Sequence, residues 1–132
     1  MAKILYIEDN ETQLSIIKFL RLKYKHEIIW TKDVYTTNEE LKNDFDIYIV
    51  DIMMKGDEKL FPSDGGNTNG KRTGLYIIKK IRESNPSSII FTLSARKDIS
   101  EELKELKVNA IFVKPTSPHE IHKTIIKELK QK

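Results

Sequence analysis

Asp46-Ile47-Tyr48-Ile49-Val50-Asp51 is the stretch that decides the fold. Its unbroken run of β-branched and aromatic residues, closed by an acid, fits a strand covered on both faces, because a half-exposed strand would alternate apolar with polar. Such strands belong to parallel sheets layered between helices. Working outward, Ile4 to Ile7, Glu27 to Thr31, Ser88 to Leu93 and Asn109 to Val113 are further strand candidates, most of them nearly continuous in apolar residues. Between them the apolar spacing changes to three and four: Leu14, Ile17, Leu20 and Tyr24; Leu75, Ile78 and Ile81 with Ile77; Ile99, Leu103 and Leu106; Ile121, Ile125 and Leu129. These spacings predict amphipathic helices. Asn10 with Gln13 reads as an N-cap box for the first helix, Lys127 and Lys130 suit a last helical turn, and a weaker helix over Thr36 to Lys42 joins the second and third strands. The alternation predicts an α/β fold: a doubly wound, five-stranded parallel sheet of flavodoxin-like order 2-1-3-4-5 with helices on both faces. In that order the functional crevice lies at the carboxyl ends of strands 1 and 3.

Composition agrees with this reading and narrows the classes. A chain of 132 residues, 39% hydrophobic and 33% charged, is expected to form one domain over 1–132 with no output domain. The absence of Cys excludes disulfide frameworks, thiolate metal sites and thiol nucleophiles, and agrees with a cytoplasmic location. No apolar run is long enough for a membrane span. A net charge of +3, with the lysines spread along the chain, does not imply nucleic acid. The one irregular stretch, Ile52 to Thr73, carries Pro62, Gly65, Gly66 and Gly70 without a sustained period and reads as a long loop insertion.

At the expected crevice, strand 1 delivers Glu8 and Asp9, and strand 3 delivers Asp51. Close carboxylates repel by a few kcal/mol per pair at an effective dielectric of about 20, unless a cation intervenes or a proton stays on. Hard oxygen donors in a water-accessible site suit Mg²⁺. Spacing alone leaves open that these are solvated strand-end acids. The fourth strand ends in Phe91-Thr92-Leu93-Ser94-Ala95 and the fifth in Ile111-Phe112-Val113-Lys114-Pro115, which adds a hydroxyl and an ammonium at the same edge. Singly, Ser94 reads as a turn or cap residue and Lys114 as a solvated charge; together with the acids they make up a phosphoryl site.

Ile7-Glu8-Asp9-Asn10, Ile49-Val50-Asp51-Ile52-Met53-Met54, Leu93-Ser94-Ala95 and Val113-Lys114-Pro115 resemble the receiver domains of two-component response regulators, over essentially the whole chain. The resemblance implies that Asp51 accepts a phosphoryl group from a phosphohistidine on a sensor histidine kinase or phosphotransfer domain. It implies Mg²⁺ held by Asp9 and Asp51, by Glu8 through water and by the backbone carbonyl of Met53. Lys114 would pair with Asp51 and then with a phosphoryl oxygen, Ser94 would donate to another, and Lys114-Pro115 is a candidate cis peptide. Output would pass to a downstream protein through the face of helix 4, strand 5 and helix 5, with no direct nucleic acid or membrane contact. The protein would catalyse its own phosphoryl capture and autodephosphorylation and turn over no metabolite. The alternative is a phosphorylation-independent interaction module of receiver-like form.

Two positions depart from the family's pattern. Ile111 stands where many members carry an aromatic switch residue, and Phe112, by strand alternation, points to the opposite face. About fifteen extra residues precede Thr73-Gly74-Leu75, with Lys55 in place of a frequent Pro and Lys71 and Arg72 as possible phosphoryl contacts. Other motifs carry less. Gly65 to Lys71 imitates a nucleotide P-loop but has Arg72 where Ser or Thr must stand, and it does not follow a strand directly. His119 and His122 lack an evident third ligand and read as surface residues, while Trp30 and Tyr48 read as packing.

Overall fold

A computed structural model describes residues 2–8, 14–52, 71–94 and 100–131. In chain order the elements are β1 (Lys3–Ile7), α1 (Leu14–Leu22), β2 (Glu27–Thr31), α2 (Val34–Glu40), β3 (Ile47–Asp51), α3 (Lys71–Ser84), β4 (Ile89–Ser94), α4 (Ser100–Glu105), β5 (Ala110–Val113) and α5 (Pro118–Lys130). The strands form one sheet in the order β2-β1-β3-β4-β5, and every pairing is parallel. Ile7 lies opposite Val50 on β3 and Thr31 on β2, so the residues that follow β1 and those that end β3 emerge at one edge.

Strand alternation sorts the apolar residues into two cores. Ile4, Tyr6, Ile47, Ile49, Phe91 and Leu93 meet Ile16, Ile17 and Leu20 of α1 and Ile121 and Ile125 of α5. On the other face Leu5, Ile7, Tyr48, Val50 and Ile90 meet Leu75, Ile77, Ile78 and Ile81 of α3 and Leu103 of α4. At about 1.5–3 kcal/mol for each fully buried large aliphatic side chain, these two layers supply the main drive to fold. β3 and β4 are buried throughout, as their sequences imply. β5 differs, because as an edge strand it leaves Ile111 and Val113 more than a third exposed while Phe112 packs edge-to-face on Phe91.

Local signals explain the helix ends. Asp33 caps α2 by accepting from the Thr36 amide at 2.8 Å, which starts that helix at Val34 and corrects the expected span of Thr36 to Lys42. Ser117 caps α5 with Pro118 in its first turn, and Lys127 and Lys130 occupy its last. α4 stops at Glu105, before Leu106, and Lys107 then adopts a left-handed φ of 58°. α3 corrects the long loop: it begins at Lys71 rather than after Thr73, because Lys and Arg are good helix formers and no turn residue follows Gly70 until Gly74. The P-loop-like stretch before Lys71, the Asn10 box and Lys55 lie outside the described residues. Arg82 ties α3 to both neighbouring turns, its guanidinium donating to the carbonyls of Leu106, Pro86, Ser88 and Lys107 and to the Asn109 side chain.

Candidate functional site

At the carboxyl edge the backbone ladder runs one bond past β1, β3 and β5: Glu8 N–H donates to Thr31 O at 3.0 Å, Ile52 N–H to Leu93 O at 3.1 Å, and Lys114 N–H to Ser94 O at 2.8 Å. The side chains that leave this edge are therefore placed by the sheet. Glu8 is fully buried, Asp51 is 2% exposed and Ser94 is 1% exposed. The Lys114 ammonium reaches across the edge to lie 3.2 Å from Glu8 Oε2 and 3.4 Å from Asp51 Oδ1. The Lys114–Pro115 peptide is cis.

Two carboxylates so deeply buried are costly unless charge-compensated. One ammonium shared between them supplies part of that compensation, and its partial exposure leaves the site in touch with solvent. Two residues before Glu8, the Tyr6 phenol is fully buried with no hydrogen-bond partner among the described residues. Burial, and then the negative charges of Glu8 and Asp51, push its pKa far up and keep it neutral.

The structure thus brings Glu8, Asp51, Ser94, Lys114 and Pro115 to one edge, whereas Asp9 and Met53 lie outside the described residues. The described part of the site offers two hard oxygen donors, a donor set that fits Mg²⁺. Among the described residues no group of three or more His, Cys, Asp or Glu side chains is positioned to hold a metal.

Sequence reading missed two features. Trp30, expected to serve packing, also donates its indole N–H to the Glu8 carbonyl at 2.9 Å. His119 and His122 are not simple surface residues, since His119 Nδ1 lies 2.8 Å from the Tyr24 hydroxyl and His122 stacks on the Tyr24 ring at 3.6 Å. His122 Nδ1 also meets Nε2 of buried His26 at 2.9 Å, and His26 Nδ1 accepts from the Ala2 amide at 3.2 Å. The pairing of His26 with His122 spans 96 residues, so no local spacing could reveal it.

No protein-family model matches the chain. It is 26% identical over 128 residues to the autoinducer 2 sensor kinase/phosphatase LuxQ of Vibrio vulnificus (strain YJ016), a match covering 94% of this chain and 13% of that protein. LuxQ of Vibrio parahaemolyticus serotype O3:K6 matches at 26% over 125 residues, with the same two coverages. The chain therefore spans only 13% of the length of these curated relatives. Among solved structures, a CheY-like response regulator receiver domain protein from Methanospirillum hungatei JF-1 superposes with a TM-score of 0.77 at 14% identity, over 99% of this chain and 95% of that one. The chain has the fold of a CheY-like response regulator receiver domain. Receiver structures with ligands match as well: the BeF3-activated DrrB receiver domain at TM-score 0.71, 18% identity and 98% of each chain, and TrrA of Thermotoga maritima in complex with Mg(2+)-BeF at 0.70, 21% identity, 96% of this chain and 98% of that one. The edge bearing Glu8, Asp51, Ser94 and Lys114 is the carboxyl edge of this receiver fold, where open α/β sheets bind their ligands. Among the described residues no helix is long and apolar enough to cross a membrane.

Proposed function

We propose that this receiver domain is a phosphorylation-dependent signalling switch whose acceptor is Asp51. The observation that carries the reading is the placement of Asp51 at the end of β3, buried, 3.4 Å from the Lys114 ammonium and across the strand ends from buried Glu8. A carboxylate is a sufficient nucleophile because phosphoryl transfer asks mainly for alignment and charge neutralisation. An Asp51 carboxylate oxygen forms a bond to phosphorus as the P–N bond to the donor imidazole breaks, and the bonding pair leaves with the imidazole. Lys114, already on Asp51 Oδ1, offsets charge on the incoming phosphoryl oxygens, and the Ser94 hydroxyl donates to another of them. Mg²⁺, when bound, would supply Lewis-acid charge compensation. Asp51 and, through water, Glu8 would hold it together with Asp9 and the Met53 carbonyl.

The LuxQ relatives are named as a sensor kinase/phosphatase, and this supports a phosphohistidine on a sensor histidine kinase or phosphotransfer domain as the donor. Output would run through the α4, β5 and α5 face, where Ile111 and Val113 are exposed, to a protein partner in the cytoplasm. The test is intact mass after incubation with acetyl phosphate and Mg²⁺. One phosphoryl adduct per chain, absent in Asp51→Asn and in EDTA, is expected. An adduct that persists in Asp51→Asn overturns the assignment, and no adduct on the wild type favours the interaction module.

A further inference from the structure

Trp30 sits on β2 opposite Tyr6 of β1 and packs against the α1 and α5 core. That packing by itself calls for no hydrogen-bond donor. What the indole adds is a donor, and it is spent on the main-chain carbonyl of Glu8, at 2.9 Å. The Glu8 amide is held as well, by Thr31 O at 3.0 Å. Both backbone groups of this residue are thus tied to β2, one by the strand ladder and one by a side chain. The Lys32 ammonium lies over the ring, 5.2 Å from its centroid.

Fixing that carbonyl has consequences for the acids. The Glu8 peptide sets where the buried Glu8 carboxylate points, 3.2 Å from Lys114, and it is the link through which the chain passes to Asp9. Beyond Ile7 the β1–β3 pairing has ended, so β2 is the described neighbour that holds this link. We propose that Trp30 is a positioning residue for the strand-end acid Glu8: its indole N–H fixes the Glu8 carbonyl and so presets the Glu8 side of the cation site. The inference rests on the reading of this edge as a Mg²⁺-dependent phosphoryl site. Because Trp30 is the one tryptophan in the chain, its emission also reports directly on that edge.

The test is Mg²⁺ binding by calorimetry without any phosphoryl donor, on the full chain, for wild type, Trp30→Phe and a protein carrying benzothienylalanine at position 30. The last keeps the ring shape and replaces the N–H by sulfur, so it holds the packing even if Trp30→Phe folds poorly. Partners that orient metal ligands typically contribute about 10- to 100-fold in affinity. Loss of the N–H should weaken Mg²⁺ binding by roughly tenfold at the low end of that range, and wild-type Trp30 emission should shift on Mg²⁺ addition with the same midpoint as the heat. A benzothienylalanine protein that binds Mg²⁺ within about twofold of wild type overturns the role of Trp30 while leaving the phosphoryl site intact. Wild type that binds no Mg²⁺ overturns both, and the two failures are told apart by the wild-type titration alone.

Discussion

Gly74→Ala sets helix propensity against packing, and the distances decide between them. Gly74 is buried in the first turn of α3, and a Cβ there would stand 2.7 Å from Ile52 Cα, 2.8 Å from Ile52 O and 3.1 Å from Asp51 O. All three neighbours are backbone, so no side chain can swing away. Ala is preferred over Gly within a helix by about 1 kcal/mol, which on its own forecasts stabilisation. Carbon atoms rest at about 3.5–4.0 Å, so the helix and the strand end must separate by roughly 1 Å. Overpacking of this kind costs about 1–3 kcal/mol, and the sheet bonds beside Ile52 resist the movement. Net destabilisation of about 1–2 kcal/mol should lower the melting temperature by roughly 3–8 °C for a chain of this size. The larger effect falls on chemistry, since the displaced backbone carries Asp51 and a 1 Å misplacement can cost about a hundredfold in rate. Thermal melts and time-resolved intact mass with acetyl phosphate check both parts, with at least about tenfold slower uptake expected. A variant as stable as wild type, with uptake unchanged, would refute the claim that α3 sets the position of Asp51 through this contact.

Lys114→Ala removes the ammonium shared by two buried carboxylates. Breaking a buried pair costs about 3–5 kcal/mol, reduced here to about 2 kcal/mol because the Lys114 side chain is 21% exposed. Added Mg²⁺ should restore more of the melting temperature in the variant than it adds to wild type, and equal shifts in both would count against a shared charge. The histidine chain gives a pH prediction. Burial first, and then the charge of His122 and of the N-terminus, lower the pKa of His26, while burial and His119 lower that of His122. Both groups are thus more basic in the unfolded chain, so their contribution to stability is complete above about pH 6.5 and is lost as pH falls further. Melting temperatures from about pH 7.5 to about pH 5.5 should fall in wild type and fall less in His122→Gln. A wild-type profile that stays flat over that window would exclude the effect.

The sheet was legible because burial on both faces writes itself into β3 and β4 as uninterrupted apolar residues, and the acids that follow β1 and end β3 stand where those runs stop. Order and parallel pairing followed from alternation with helices, and Glu8, Asp51, Ser94 and Lys114 fall at one edge as that topology requires. What stayed illegible depends on side chains meeting across long separations. Nothing near Trp30 announces that its N–H will find a carbonyl 22 residues away, and nothing near His122 announces His26. The start of α3 differs from the expected loop end at Thr73 for a local reason: the cluster of turn residues ends at Gly70, so Lys71 to Thr73 are already helical, and Gly74 follows within the helix, where its missing Cβ is needed.

The charges at the edge say why a cation and a phosphoryl group belong together in this reading. Glu8 and Asp51 are both buried and Lys114 supplies one positive charge between them, so these three groups carry a net charge of minus one in a poorly solvated place. Converting Asp51 to an acyl phosphate replaces one negative charge by about two and deepens the imbalance. The Lys114 ammonium can turn to the phosphoryl oxygens, but it brings no second positive charge. Tyr6, kept neutral beneath the site, adds no further charge. A divalent cation compensates the phosphorylated arrangement where a second lysine would have to be ordered and desolvated from a flexible stem. If Asp51 is the acceptor, capture of the phosphoryl group would be tied to capture of the ion by electrostatics, and the holding of Glu8 by β2 and of Asp51 by α3 would limit the reorganisation that either one requires.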